Sequence, residues 1–513
     1  MALPTTDHAS AARLDAQQHT TLLILFGLAL GCLLLHLCAN VNYGYHRDEL
    51  AVLDDARHLA WGYVAYPPLT PFLAHVATSL LGDSMAAFRV PAALAQSIAM
   101  LLTGLIAREL GGRRMAQVVA AIAVACAPLS MLMGSMLMYT SIDYVWVVLL
   151  AWTLLRVANG GDARWWLAAG VAIGLGMMTR YTMLFWVAGA VVGVLATPLR
   201  RHLRSPWPWA GIALSLLLFL PNAWWQWLND FIYLDFARHL HERDVRIGRT
   251  DGFLLGQLTV GASPLTLPLW IAGLVWLGCA QAAVRWRVLA WMYAVPLLLF
   301  LLVRGRDYYV APGYPMLLAA GAVALEGGIA RLRAGTARWS RAGVIVMLAG
   351  AFASSALVAL PLAPIGSEGW RISRRVHDTF AEQVGWPELV AEVARIYTAL
   401  PAEERARTAI FANNYGEAGA INRYGPRFGL PPVIGTVNSY WARGVGDPYP
   451  LTVIVLGDDA EGISDTPATC TRAGQVRIPH GVENEESGRP DIYICRDYVV
   501  PISTLWPKKP SFG

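Results

Sequence analysis

Charged residues are scarce in this sequence: they make up 15% of its 513 residues, whereas hydrophobic residues make up 56%. A soluble domain averages about 25% charged and about 45–50% apolar residues. The shortage argues against a soluble enzyme, a disordered protein and a nucleic-acid binder, and a net charge of +5 is too small to favour nucleic acid. Lysine occurs only at Lys508 and Lys509, so arginine carries nearly all the positive charge.

Motifs for nucleotides and metals are also missing. The chain has no Walker motif and no dinucleotide-binding fingerprint, which leaves ATP or NAD coupling without support. His239, His241 and Glu242 are close together, but their spacing differs from the His-Glu-x-x-His pattern of zinc proteases. We therefore predict no metal site and no required cofactor, and we leave the use of a divalent cation open.

Long apolar runs are what the sequence has in excess, and a spanning helix needs about 20 mostly apolar residues. Such runs, together with shorter segments that are harder to divide, predict about eleven membrane passes. The clearer runs are Thr21–Val41, Phe88–Ala107, Met115–Met133, Trp209–Leu228, Leu265–Val284, Val288–Val303, Val310–Ile329 and Ala342–Leu362. The shorter segments are Ile142–Arg156, Trp165–Met178 and Thr182–Leu199.

The positions of the arginines in the loops predict the orientation of the chain in the membrane. With a cytoplasmic N-terminus, every predicted inner loop is short and basic, as the positive-inside rule expects. These loops carry Arg108, Arg113, Arg114, Arg156, Arg164, Arg200, Arg201, Arg204, Arg285, Arg287, Arg331, Arg333, Arg338 and Arg341. We therefore predict a multi-pass protein of the bacterial inner membrane, with a cytoplasmic tail over 1–20 and a transmembrane domain over 21–362.

The composition changes after Leu362, and residues 363–513 are predicted to form a small periplasmic α/β domain. Trp386–Leu400 has the pattern of an amphipathic helix, and Leu451–Leu456 and Ile492–Val500 have that of buried strands. Cys470 and Cys495 could form a disulfide worth roughly 3 kcal/mol there, and two free thiols are the alternative. The predicted fold class is an α-helical polytopic membrane protein with a C-terminal α/β domain.

Polar side chains gather in the predicted outer loops, and such residues are expensive near a membrane unless they serve a function. The first outer loop is long, at 42–87, and Leu50–Ala60 within it has the pattern of a helix lying in the interface. Arginine forks bind phosphate, and a carboxylate can take a proton from an attacking hydroxyl. Carboxylates and arginines that share one membrane face therefore suit group transfer from a lipid phosphate donor.

Several motifs of these loops, in their order along Val41–Ala330, resemble bacterial GT-C glycosyltransferases. The branch they resemble is glycosyltransferase family 39, with the protein O-mannosyltransferases and the aminoarabinose transferase that modifies lipid A. The motifs are Tyr45-His46-Arg47-Asp48-Glu49, Tyr66-Pro67-Pro68, Thr179-Arg180-Tyr181, Arg306-Asp307-Tyr308-Tyr309 with Pro312 and Tyr314-Pro315. The stretch 413–420 (Asn-Asn-Tyr-Gly-Glu-Ala-Gly-Ala) resembles the outer domain of bacterial members.

The resemblance implies an inverting transfer from a polyprenyl-phosphate sugar to an envelope acceptor, which could be lipid A, a glycan, a glycolipid or a protein. It implies that Asp48 is the base, with Glu49 beside it. Many relatives carry Lys where Tyr66 stands, so another cation would have to supply that phosphate contact. The donor-binding candidates are Arg47, Arg57, Asp143, Arg180, Tyr181, Arg304, Arg306, Tyr308 and Tyr309, and of these Arg57 or Arg304 would replace the lysine.

Simpler roles stay open for most of these residues. Asp48 and Asp143 could cap helices, because Asp is a favoured N-cap residue, and Glu49 could be a solvated helix-end charge. The arginines and tyrosines could be interfacial anchors, and Asp54 and Asp55 a solvated face. A transporter or flippase for lipid-linked sugars is the alternative function, although its charges should lie mid-membrane and be reached from both faces. A non-catalytic sensor or scaffold is the third.

Overall fold

The computed structural model describes residues 6–446, 449–458, 463 and 468–513. Up to residue 362 it is a bundle of helices with no strand among the described residues. The helices are α1 (Thr6–Ala39), α2 (Arg47–Asp55), α3 (Leu69–Leu81), α4 (Met85–Glu109), α5 (Arg114–Ala125), α6 (Pro128–Gly134), α7 (Tyr139–Ala158), α8 (Trp165–Met177), α9 (Met183–Ala196), α10 (Pro206–Leu228), α11 (Ile232–Arg246), α12 (Phe253–Thr259), α13 (Leu267–Cys279), α14 (Val288–Leu302), α15 (Tyr314–Ile329) and α16 (Ala334–Ala359).

Each predicted membrane pass overlaps at least one of these helices. Five spans are long and apolar enough to cross a membrane, and they include α1, α4, α7, α15 and α16. Three pairs of consecutive helices are bent at a short break, and up to eight spans are counted if each pair is one span. The pairs are α5 with α6, α9 with the 3₁₀ helix Pro198–Arg204, and α12 with α13. The passes predicted at α8, α10 and α14 do not meet this test of length and composition, so they stay predictions.

Small residues allow the helices of the bundle to approach closely. Gly170 on α8 lies against the backbone of Gly211 on α10, and Gly273 on α13 lies against Gly321 on α15. A Cβ atom at any of these glycines would overlap the facing backbone. Membrane helices pack through such small residues, because lipid gives them no hydrophobic drive to associate.

The C-terminal part is a four-stranded sheet flanked by helices, which confirms the predicted α/β region. The strand order is β1-β2-β4-β3, with β1 parallel to β2 and the other pairs antiparallel. Predicted helix 386–400 is found as α18, and the two predicted strands as β2 and β4. The elements are α17 (Glu368–Val376), α18 (Trp386–Ala399), α19 (Ala402–Arg405), β1 (Thr408–Ala412), α20 (Tyr415–Tyr424), α21 (Asn438–Trp441), β2 (Thr452–Leu456), β3 (Thr469–Gln475), α22 (Glu485–Gly488), β4 (Asp491–Arg496) and α23 (Ile502–Leu505).

A disulfide joins Cys470 of β3 to Cys495 of β4, as predicted. The two cysteines face each other in the strand register and are 25 residues apart in the chain. Replacing both by serine should lower the free energy of unfolding by about 3 kcal/mol, because the cross-link restricts the unfolded chain. Thermal unfolding with and without reductant measures this. Reductant should lower the wild-type midpoint to that of the variant and leave the variant unchanged; a shift in the variant itself would contradict the prediction.

Helix α2 differs from its prediction. The helix expected at Leu50–Ala60 begins earlier, at Arg47, and ends at Asp55. It packs against α20 of the C-terminal domain, with most of its residues buried, so the prediction of a helix lying in the membrane interface is wrong. Asp54 and Asp55 are each 3% exposed and pair with Arg443. The predicted solvated face is therefore an interface between the two parts of the chain.

Candidate active site

His46, not Asp48, caps helix α2. Its Nδ1 accepts a hydrogen bond from the Asp48 N–H at 3.1 Å, and its own N–H donates to Glu49 Oε2 at 2.9 Å. This reciprocal arrangement is a capping box. The alternative that Asp48 is the cap is therefore wrong. The side chain of Asp48 is 34% exposed, and its carboxylate accepts a hydrogen bond from the Tyr415 hydroxyl at 2.7 Å.

Glu49 is held in a buried ion pair. Nε of Arg89 on α4 donates to Oε1 at 2.8 Å and Nη2 donates to Oε2 at 2.5 Å. The Leu137 N–H also donates to Oε1, at 2.9 Å. Both side chains of the pair have no exposed surface. Because both oxygens are occupied and out of reach, the predicted catalytic role and the solvated alternative are both contradicted, and Glu49 is structural.

A cavity of about 540 Å³ opens beside this region. Its wall comes from the first outer loop, the start of α7, the α8–α9 turn, α11 and the segment after α14. Aromatic rings form a large part of the wall, and three arginines supply its positive charge. Among the lining residues are Tyr66, Tyr139, Arg180, Tyr181, Tyr233, Phe236, His241, Asp244, Arg304, Arg306 and Tyr309. The cavity thus combines the apolar surface and the few converging polar groups typical of a ligand site.

Each cavity arginine faces a carboxylate. Arg180 lies 3.7 Å from Asp143, Arg304 lies 3.5 Å from Asp251, and Arg306 makes a two-pronged pair with Asp244. The Arg306 distances are 2.6 and 2.8 Å. Asp244 fixes the guanidinium plane of Arg306 through two hydrogen bonds. The other two carboxylates offset the charge of their arginines at longer distance, so an entering phosphate would share these cations.

Asp143 is 2% exposed and lies inside α7, whose N-cap is Met138, so the predicted capping alternative is wrong for Asp143. Arg180 lies over the ring of Tyr309 at 4.3 Å from its centroid and near that of Tyr139 at 5.2 Å. Such contacts suit a guanidinium that is removed from water. A second, small cavity is lined by Asp143, Arg180 and Tyr308. The structure therefore brings these predicted residues together.

Two of the predicted tyrosines, Tyr181 and Tyr308, make side-chain hydrogen bonds in this region. The Tyr181 hydroxyl donates to Asn222 Oδ1 at 2.7 Å and accepts from Gln226 Nε2 at 3.0 Å. The Tyr308 hydroxyl accepts from Arg306 Nη1 at 3.2 Å. Tyr309 is a wall residue of the cavity. These contacts argue against the belt-aromatic alternative for Tyr308 and Tyr309.

Two predicted arginines lie away from the cavity. Arg47 pairs with Glu485 and lies over the ring of Tyr415, at 4.6 Å from its centroid. Arg57 is 40% exposed and lies 3.4 Å from Asp83. Neither is among the residues that line the cavity, so their contact with the donor stays a prediction. Arg304, the other candidate to replace the lysine of relatives, does line it.

Tyr66 connects the cavity wall to the buried carboxylates of α2. Its hydroxyl donates to Oδ2 of Asp55 at 2.7 Å, and Nη2 of Arg443 donates to Oδ1 at 2.8 Å. Burial raises the pKa of Asp55 to about 6, although Arg443 and Tyr66 favour the ionised carboxylate. The wall therefore depends on a side chain of the C-terminal domain.

Sequence reasoning missed several residues of this region. Asp244, Tyr233 and Phe236 lie on α11, in a stretch notable from sequence only for its Arg, His and Asp content. Arg89 lies inside a predicted pass, and a charged residue in such a run was a signal for a buried partner. Tyr415 lay in a recognised stretch, but nothing local pointed to its contact with Asp48.

Comparisons with known proteins bear on the family resemblance and on the fold. The family model described as dolichyl-phosphate-mannose-protein mannosyltransferase matches residues 65–225. The lipopolysaccharide core galacturonosyltransferase RgtB of Rhizobium johnstonii is 26% identical over 225 residues, which are 43% of this chain and 44% of that protein. The structure of ArnT from Cupriavidus metallidurans bound to undecaprenyl phosphate aligns over 92% of this chain and 97% of its own, with a TM-score of 0.59 and 15% identity.

The mycobacterial arabinofuranosyltransferase AftD aligns over 91% of this chain and 40% of its own, with a TM-score of 0.53 and 16% identity. These matches confirm the resemblance to GT-C glycosyltransferases. They show that the chain is a multi-span membrane protein with the fold of that group. The alignment with the curated relative spans less than half of that protein's length.

Proposed function

We propose that this protein is a membrane glycosyltransferase that moves a sugar from a polyprenyl-phosphate donor to an envelope acceptor at the periplasmic face of the bacterial inner membrane. The carrying observation is the cavity in which Arg180, Arg304 and Arg306 converge, in a chain with a GT-C fold. Asp48 is outside the cavity lining, on α2, the helix whose Asp55 accepts a hydrogen bond from Tyr66 of the cavity wall. Tyr139 lines that cavity and interacts electrostatically with Asp48. The matched proteins are transferases, so a transporter is not favoured.

In this proposal Asp48 takes the proton of the acceptor hydroxyl, or orients that hydroxyl. The acceptor oxygen attacks the anomeric carbon from the side opposite the phosphate. A bond forms between them as the bond from that carbon to the phosphate oxygen breaks, so the configuration inverts. The electron pair leaves with the phosphate, whose charge the arginines neutralise. Fixed cationic donors of this kind supply about 2.7–4 kcal/mol each of transition-state stabilisation.

The test is a turnover assay of the full chain in nanodiscs, with a panel of polyprenyl-phosphate pentoses, hexoses, amino sugars and uronic acids and an envelope extract as acceptor. We expect release of polyprenyl phosphate from one donor class, with the sugar recovered on an extract component. A vesicle assay run in parallel follows movement of the intact donor between leaflets. Movement of every donor without release from any would overturn the proposal.

The arginines allow a sharper test of donor binding. Arg304→Gln should weaken binding of polyprenyl phosphate about tenfold, because it removes a charged donor from the cavity wall. Arg57→Gln is the matched control, since Arg57 also makes an exposed ion pair but is outside the cavity lining, and such pairs contribute about 0–1 kcal/mol. Titration of each purified variant with polyprenyl phosphate measures both. Equal losses in the two variants would contradict the assignment of Arg304.

A further inference from the structure

The C-terminal domain reaches Asp48 through one hydroxyl. Tyr415 is the first residue of α20, and its hydroxyl donates to Oδ1 of Asp48 at 2.7 Å. Within the part of the chain that the structure describes, this is the only hydrogen bond of that carboxylate. The guanidinium of Arg47 lies over the Tyr415 ring and so holds it against the start of α2.

Two glycines let α20 lie directly on α2. A Cβ at Gly419 would lie 2.7 Å from the carbonyl carbon and oxygen of Leu50. A Cβ at Gly416 would lie 2.9 Å from the Cβ of Arg47. Both distances are shorter than Cβ atoms tolerate, so larger residues would push the helices apart. The glycines are three residues apart and therefore share one face of α20. Their contact sets the distance at which Tyr415 reaches Asp48.

The other end of α2 is held by the same domain. Arg443 pairs with both Asp54 and Asp55, and Asn422 Nδ2 donates to Asp54 Oδ2 at 3.0 Å. Asn414 caps α20, and Glu417 completes its capping box. The start of α20 is thus fixed within its own domain while it contacts α2. These contacts indicate that residues 413–420 hold the start of α20 against α2.

We propose that Tyr415 is a positioning residue for Asp48, so that the C-terminal domain completes the active site. This inference rests on the proposed function, in which Asp48 acts as the base. The hydroxyl fixes Oδ1 and leaves Oδ2 to meet the acceptor. A phenol donates only while it is protonated, and burial, followed by the nearby carboxylate, raises the pKa of Tyr415. It therefore remains a donor across the neutral range.

Several charged and titratable groups face Asp48 and Tyr415, and the variants leave them unchanged. Nδ1 of His46 lies 3.7 Å from Oδ2 of Asp48. The others interact through their charges: Arg47 of α2, Tyr139 of α7, Arg243 of α11, and Glu382 between α17 and α18. A change in pH dependence on removing only the Tyr415 hydroxyl therefore reports on that hydroxyl.

The test compares Tyr415→Phe with Tyr424→Phe in the full chain, since Tyr424 ends the same helix. In Tyr415→Phe we expect kcat to fall roughly tenfold to a hundredfold, as for loss of a hydrogen bond to a charged group, with little change in KM for the donor. The acidic limb of the pH–rate profile should move to higher pH, because the lost donor favoured the ionised carboxylate. Tyr424→Phe should match the wild type.

Hydrogen exchange of the α2 amides is a second measurement that needs no turnover. Faster exchange over Arg47–Asp55 in Tyr415→Phe, with α2 unchanged in Tyr424→Phe, supports positioning even if no donor in the panel is turned over. Absence of turnover with every donor would count against the proposed function alone. Wild-type kcat, pH profile and exchange in Tyr415→Phe would overturn the inference. So would a lower melting temperature with a raised KM and an unmoved pH profile, since these indicate a merely structural role.

Discussion

Asp48→Asn should lower the rate of polyprenyl phosphate release by about 10²–10⁴-fold, the usual contribution of a general base. Asparagine keeps the size of the side chain and can still accept the hydrogen bond from Tyr415. It cannot take a proton from an acceptor hydroxyl. The loss should therefore fall on kcat, whereas binding of the donor phosphate to the cavity arginines should persist.

The matched control for this change is Asp83→Asn. Asp83 belongs to the same outer loop, but it is exposed and pairs with Arg57 and Arg423 away from the cavity. Its loss should leave turnover near that of the wild type. Single-turnover release and donor binding, measured on both variants, separate chemistry from affinity. If Asp48→Asn released polyprenyl phosphate at the wild-type rate, the carboxylate would not be the base.

Periodicity and composition were enough to place a helix in each predicted pass, because a spanning helix satisfies its own backbone and needs a continuous apolar run. They could not place α2. Its pattern of apolar and charged residues resembles that of an interfacial helix, but its charged face meets Arg443 and Asn422 from the distant C-terminal domain. An amphipathic pattern reports that one face is polar and does not report whether that face meets water or another domain.

The candidate site shows the same division. Arg180, Arg304 and Arg306 were predictable as a group, because the loops that carry them fall on one predicted membrane face, and the structure brings them to one cavity. The partners of Asp48 and Glu49 were not predictable. Tyr415 is 367 residues from Asp48 along the chain, and Arg89 is 40 residues from Glu49. Asp48 and Glu49 are neighbours in the chain, yet the Asp48 side chain is partly exposed and the Glu49 side chain is fully buried.

The second large effect is expected for the buried ion pair between Arg89 and Glu49. Arg89→Gln or Glu49→Gln should each lower the free energy of unfolding by about 3–5 kcal/mol, because each leaves an uncompensated buried charge. Arg89 also donates to the carbonyl of Asn40 at 2.5 Å and to that of Gly44 at 2.8 Å. It therefore ties the end of α1, the first outer loop and the start of α2 together.

Unfolding in mixed detergent micelles measures these losses, and the double variant Arg89→Met with Glu49→Leu tests their cause. Removing both charges should recover part of the stability, since no unpaired charge remains. Recovery should be incomplete, because the carbonyls of Asn40 and Gly44 and the Leu137 N–H lose their partners. A double variant as unstable as the sum of the single ones would show that the pair is not coupled. Since α2 carries Asp48, turnover in every variant should also fall more than the folded fraction does.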